Sequence, residues 1–337
     1  MISHYIKGIP FREKSDKGSL IVCENLIKRI CEEFVMAGEK KYQGVVVPMV
    51  TPFTDDGKID IPASEKVTEH IVSGGAAPFV LGTTGEGTSV PQDERPSFVE
   101  AVVNKTAGRT LTYASIASNC LKTSIEAAKK YFDLGIDAAV ANLPFYYPLA
   151  DYHMLKYYET LAESIPGPLF VYNITKTTGM SIPVEVIDKL SRHPNIVGLK
   201  DSEGDEERFK NSIPLWKDRE DFSHLTGSAV LSTMAILLGS DGLVPSTGNF
   251  VPRMYCELYQ AAKKGDEQTA QKYQEKTNEL GRIYQKGKLL SESLAGLKVI
   301  MNELDLCGEA VLSPLLPLTE EQKKEIKQKL TEAGITK

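Results

Sequence analysis

Ile196-Val197-Gly198-Leu199-Lys200-Asp201-Ser202 is a short apolar run with two β-branched residues that stops at a lysine and two polar residues. Such a run reads as a buried parallel strand that opens into a loop at the lysine. If the strand belongs to an α/β barrel, its C-terminal end lies on the face where chemistry is done. A partly desolvated amine there can be neutral enough to attack a ketone. Taken alone, the lysine is more readily read as one whose stem lies along an apolar wall with its head in water.

Working outward from this strand, a rhythm of short apolar strand, Gly/Thr/Pro/Asn loop and helix repeats at about 30 residues, the length of a βαβ unit. Strands are expected at 45–49, 79–81, 110–115, 138–141, 169–172, 197–200, 223–226 and 242–244. Helices are expected between them at 63–73, 95–104, 123–134, 152–164, 183–192 and 231–239. Strands alternating with helices pair in parallel through right-handed crossovers, and a closed (β/α)8 TIM barrel is the simplest arrangement. An open doubly wound sheet would want a glycine fingerprint after the first strand, where this chain has Pro48, Thr51 and Pro52. The barrel core is placed at 42–251. Beyond it, 252–337 holds the last barrel helix and a C-terminal helical extension, with helices at 252–264, 267–284, 295–304 and 319–333. Residues 1–41 form a separate leader in which Val22, Leu26, Ile27, Ile30, Phe34 and Val35 recur at helical spacing.

The chain has 337 residues, 42% of them hydrophobic and 25% charged, with a formal net charge of −6. A mildly acidic chain without basic runs argues against nucleic acid or a membrane surface as partner. Any anionic substrate must then be held by local donors. The scattered cysteines Cys23, Cys31, Cys120, Cys256 and Cys307 suggest neither a disulfide framework nor a zinc site, and reduced thiols fit the cytoplasm. The histidines form no ligand pattern, so no metal is expected. No apolar run reaches membrane-spanning length, and the charged N-terminus does not resemble a cleavable signal.

Three strand ends carry residues suited to chemistry. The second ends in Leu81-Gly82-Thr83-Thr84-Gly85-Glu86-Gly87, whose glycines permit a tight turn with amides and two threonine hydroxyls available to a carboxylate or phosphate. It lacks the Lys-Ser/Thr of a P-loop, and a tight turn using glycine for geometry alone would look similar. The fifth ends in Tyr172-Asn173, one strand before Lys200, so phenol and amine should meet at one barrel mouth as a workable Schiff-base pair. The fourth ends in Asn142-Leu143-Pro144-Phe145-Tyr146-Tyr147-Pro148, where aromatics beside prolines usually serve packing or interfaces.

In order and approximate spacing, Gly82-Thr83-Thr84-Gly85-Glu86, Tyr172-Asn173 with Thr178-Gly179, and Gly198-Leu199-Lys200 resemble the dihydrodipicolinate synthase / N-acetylneuraminate lyase family. The similarity runs from about Tyr42 to the C-terminus. It implies a class I aldolase or lyase on a TIM barrel that uses pyruvate or another 2-keto acid without cofactor or metal. By resemblance, Lys200 forms the imine and Tyr172 is the general acid/base. Thr83 and Thr84 hold the pyruvate carboxylate, and Thr83 joins a hydroxyl relay with Tyr146. The resemblance also implies a homo-oligomer, a dimer of dimers, with Tyr146 or Tyr147 reaching across an interface.

Departures from these relatives bear on the substrate. Dihydrodipicolinate synthases carry an arginine where this chain has Thr177, and the neighbouring Lys176 is not an equivalent carboxylate clamp. N-acetylneuraminate lyases place an acidic pair where this chain has Gly227-Ser228-Ala229-Val230. Lys200-Asp201-Ser202 and Ser246-Thr247-Gly248-Asn249 resemble members that cleave 2-keto-3-deoxy sugar acids, which makes Ser202 and Ser246 candidates for binding substrate hydroxyls. Both serines could instead cap local backbone. The expected activity is therefore formation or cleavage of a hydroxy-2-keto acid from pyruvate and an aldehyde. Dihydrodipicolinate synthase, N-acetylneuraminate lyase and a non-catalytic keto-acid-binding barrel are the alternatives.

Overall fold

Among the described residues, eight parallel strands pair in sequence order: β1 (Gly44–Pro48), β2 (Ala77–Val80), β3 (Tyr113–Ser115), β4 (Ala138–Asn142), β5 (Leu169–Asn173), β6 (Ile196–Asp201), β7 (Ser223–Thr226) and β8 (Gly242–Leu243). β8 pairs with β1, so the barrel is closed. The structure is a computed structural model and describes residues 40–336. The amphipathic helix read at 22–35 lies outside the described residues.

Alternation along the strands builds two cores. Val46, Ala77, Phe79, Tyr113, Val140, Phe170, Tyr172, Leu225 and Val244 point inward and pack together. Their neighbours Val45, Val47, Val80, Ala114, Ala139, Val171 and Leu199 point outward into the layer beneath the helices. This is the two-residue period of a strand whose two faces are both buried. Tyr42, Tyr113 and Phe170 meet edge to face inside the barrel, at centroid distances of 5.4 to 6.4 Å. Gly198 makes room for this packing. A Cβ there would lie 2.2 Å from the Phe170 ring and 2.7 Å from the Ser223 carbonyl oxygen.

Among the described residues, twelve α-helices surround or extend the barrel: α1 (Ile61–Ser73), α2 (Arg95–Thr106), α3 (Leu121–Asp133), α4 (Asp151–Ser164), α5 (Thr175–Thr178), α6 (Val184–Leu190), α7 (Glu206–Trp216), α8 (Ser232–Leu238), α9 (Pro252–Lys263), α10 (Glu267–Gln285), α11 (Leu290–Glu303) and α12 (Glu320–Glu332). Several begin at a side chain that accepts an otherwise unpaired amide: Asp60 from Ala63, Asp205 from Arg208, and Asp266 from Thr269. The C-terminal extension is integral to the core, since Leu297, Val299, Ile300 and Met301 of α11 are buried in the layer around the barrel. No described helix is long and apolar enough to cross a membrane.

Helix α7 was not among the expected elements. Pro214 lies inside it and its first turn is acidic, which obscures the apolar stripe. The stripe is nonetheless present as Phe209, Ile213 and Trp216, all fully buried.

Candidate active site

Lys200 is the last inward-facing residue of β6. Gly198 faces the same way beneath it, and Leu199 between them points out to the helices. The register sets Lys200 beside Tyr172 and Tyr172 beside Asn142. Lys200 is 5% exposed, and its Nζ lies 3.9 Å from the centre of the Tyr172 ring and 4.7 Å from that of Phe79. Burial holds the Lys200 amine below the ordinary lysine range, while the neighbouring Tyr172 pulls it back up. A low-dielectric cup disfavours the ammonium, so burial favours the neutral amine at this position.

The Gly82–Gly87 turn forms one side of the site. Its strained positions are not the glycines: Leu81 (φ 58°) and Glu86 (φ 53°) adopt the left-handed conformation. Close approach explains two of the glycines. A Cβ on Gly87 would lie 1.8 Å from the Leu81 carbonyl oxygen, and one on Gly85 would lie 2.7 Å from that of Met49. The Glu86 amide donates to the Thr83 carbonyl and the Gly87 amide to that of Gly82. Thr51 Oγ1 donates to the Gly85 carbonyl at 2.6 Å. Thr84 is buried, and Thr83 lines an adjoining cavity.

That cavity, of about 270 Å³, is lined by Thr83 of the turn after β2, Ser115 and Asn142 at the ends of β3 and β4, and Thr177 of α5, together with Leu290, Ser291 and Leu294 of α11. Ser115 and Asn142 end strands whose inward positions are two residues apart, and period-two counting back from them would have singled both out. Asn142 is the more notable, because it neighbours Tyr172 in register. Arg95 also borders the cavity, although its Nε and Nη2 both donate to the Val90 carbonyl.

The remaining expected residues are dispersed. The Ser202 hydroxyl sits against the end of β7, where a Cβ on Gly227 would be 1.9 Å from it. Ser246 shares a hydrogen bond with Tyr284 at 2.9 Å and accepts one from Gln285 at 3.1 Å, which ties it to α10. Tyr146 is 74% exposed and packs edge to face on Tyr147, itself 71% exposed. It is thus not enclosed with Lys200.

A second buried group supports the Lys200 strand end. Asp201, fully buried, accepts from Arg208 Nε at 2.6 Å and from Asn173 Nδ2 at 3.1 Å. Glu203 accepts from Asn173 and Ser181. Burial raises the Glu203 carboxyl, but the bonds from Ser181 and Asn173 and the Arg208 guanidinium outweigh it and leave it below the usual range. Arg208 also donates to the Ile182 carbonyl, so α7 braces β5, β6 and the loop after β5 together.

This chain matches a family model described as the dihydrodipicolinate synthetase family over residues 41–333. It is 30% identical over 303 residues to a 4-hydroxy-tetrahydrodipicolinate synthase of Corynebacterium aurimucosum, covering 89% of this chain and 97% of that protein. A dihydrodipicolinate synthase structure from Bacteroides thetaiotaomicron superposes with a TM-score of 0.82 at 31% identity, covering 86% of this chain and 98% of that one. A chloride-inhibited dihydrodipicolinate synthase from Acinetobacter baumannii, solved with pyruvate, gives 0.79 at 28% identity, covering 87% and 99%.

Proposed function

The chain belongs to the dihydrodipicolinate synthetase family of class I Schiff-base lyases and aldolases, and we propose that it makes or cleaves a hydroxylated 2-keto acid, a 2-keto-3-deoxy sugar acid or close analogue, with pyruvate as the donor half. The observation that carries this reading is the Lys200 amine, buried and held under the Tyr172 ring at 3.9 Å. The pyruvate bound to the Acinetobacter baumannii relative supports the donor.

In the cleavage direction the neutral Lys200 amine adds to the C2 carbonyl. Tyr172 gives a proton to the carbinolamine hydroxyl, which leaves as water, and a protonated imine remains. The tyrosinate then takes the proton of the C4 hydroxyl. The C3–C4 bond breaks, an aldehyde departs and the bonding pair flows into an enamine, which is protonated at C3 and hydrolysed to pyruvate. Thr83, Thr84 and the turn amides hold the carboxylate and so aim C2 at the amine. Tyr146 joins Thr83 in a hydroxyl relay, and Tyr146 or Tyr147 reaches the site of a neighbouring subunit, a reading supported by the exposure of both rings.

The acceptor side favours hydroxyls over a second carboxylate. Thr177 stands where an arginine clamp would be needed, and Thr83, Ser115, Asn142 and Ser291 are neutral hydrogen-bonding groups. Dihydrodipicolinate synthase is the second reading, favoured by the names of the relatives and by Arg95 at the cavity edge. A cleavage screen over 2-keto-3-deoxy acids, read by pyruvate release, separates the two. Release from a sugar acid supports the first reading, and turnover only with pyruvate and aspartate semialdehyde supports the second.

A further inference from the structure

Glu86 and Lys298 form an ion pair at 3.3 Å in which each side chain is 1% exposed. They join the turn beside the site to α11 of the C-terminal extension. Lys298 is no second nucleophile: its Nζ donates to the carbonyls of Thr51 at 2.6 Å and Ala310 at 2.9 Å, and sits 4.4 Å from the centre of the Phe53 ring. Thr51 in turn donates to the Gly85 carbonyl. Glu86 Oε2 accepts from the Leu312 amide at 2.8 Å, whereas Oε1 has no hydrogen bond among the described residues and faces the ammonium. One lysine therefore reaches Gly85 through Thr51 and Glu86 directly.

These ties converge on a turn that needs holding. Leu81 and Glu86 both keep positive φ without being glycine, and such conformations persist where the surroundings over-determine them. Thr83 and Thr84 lie between those two residues. We propose that Lys298 is a positioning residue for keto-acid binding: through Glu86 and Thr51 it holds the Gly82–Gly87 turn in the shape that presents Thr83 and Thr84 to the substrate carboxylate. This rests on the reading of that turn as the carboxylate cradle.

The test is the rate of cyanoborohydride trapping of pyruvate on the full chain, followed as a function of pyruvate concentration. Lys298→Met and Glu86→Gln should raise half-saturating pyruvate about 10- to 100-fold, the scale on which a small misplacement acts, with the saturated rate within about threefold of the parent. Each single change strands a buried partner and could prevent folding. The double variant E86Q/K298M removes both charges, and Thr51→Val removes one tie without exposing a charge. Both should melt near the parent temperature yet saturate at higher pyruvate. If either folds and saturates at the parental concentration, the pair serves stability alone and the positioning role is overturned. If the unaltered protein traps no pyruvate at any concentration, the keto-acid reading fails first and the positioning role falls with it.

Discussion

At Lys200 the same burial that weakens the fold prepares the chemistry. Its amine is held below the ordinary lysine range because the ammonium would lose its water. The unfolded chain therefore binds a proton that the folded chain gives up, and stability rises with pH from the depressed folded value to the unfolded one near 10.5. Lys200→Met should remove that slope, stabilise the protein at neutral pH by about 0.5–2 kcal/mol, and abolish imine formation. Thermal melts at neutral and alkaline pH, alongside trapping, check all three. With subsaturating pyruvate, the trapping rate of the parent should fall as pH drops through the depressed amine value and level off above it. A rate that keeps climbing towards the ordinary lysine range would show a solvated amine. Lys200 and Tyr172 were legible in the sequence because each polar or phenolic residue closes an apolar strand, and successive parallel strands place such ends side by side. Asn142 was passed over because Pro144 and three aromatics follow it and draw the eye to packing.

The elements that carry these residues depend on near contacts that sequence patterns do not display. Gly198 reads as one more small residue in a strand, yet the Phe170 ring occupies the place of its side chain. Gly198→Ala should overpack the barrel and cost about 1–3 kcal/mol, measured by urea unfolding, with reduced trapping because Lys200 follows two residues later. Gly87→Ala sets a methyl 1.8 Å from the Leu81 carbonyl oxygen. It should distort the turn and raise half-saturating pyruvate by roughly tenfold or more, a shift that a titration of the trapping rate would show. That the chain turns tightly here was legible from the glycines, but the left-handed backbone falls on Leu81 and Glu86 instead. Helix α7 was missed because Pro214 and a run of charges masked a stripe that only packing against β7 and α8 makes evident. Its Asp205 cap and acidic first turn were the signal available.

For the molecule as a whole, the repeating strand and helix pattern was enough to reach a closed barrel, since eight such units have few other ways to bury both faces of every strand. The pairing of Glu86 with Lys298 was not legible, because nothing local says which distant charge will enter the core. Tyr146 and Tyr147, exposed like Phe145 and Tyr152 nearby in sequence, are the aromatics proposed above to meet a neighbouring subunit. Sedimentation should accordingly show an oligomer, and Tyr146→Ala with Tyr147→Ala should shift it towards smaller species and lower the rate of cleavage. A parent protein that sediments as a monomer with full activity would contradict that arrangement. The central claim is covalent, and reduction of the protein with cyanoborohydride in the presence of pyruvate, followed by peptide mass mapping, tests it most directly. The account predicts one adduct, on the peptide containing Lys200; an unmodified Lys200 at saturating pyruvate, or an adduct on another lysine, would contradict it.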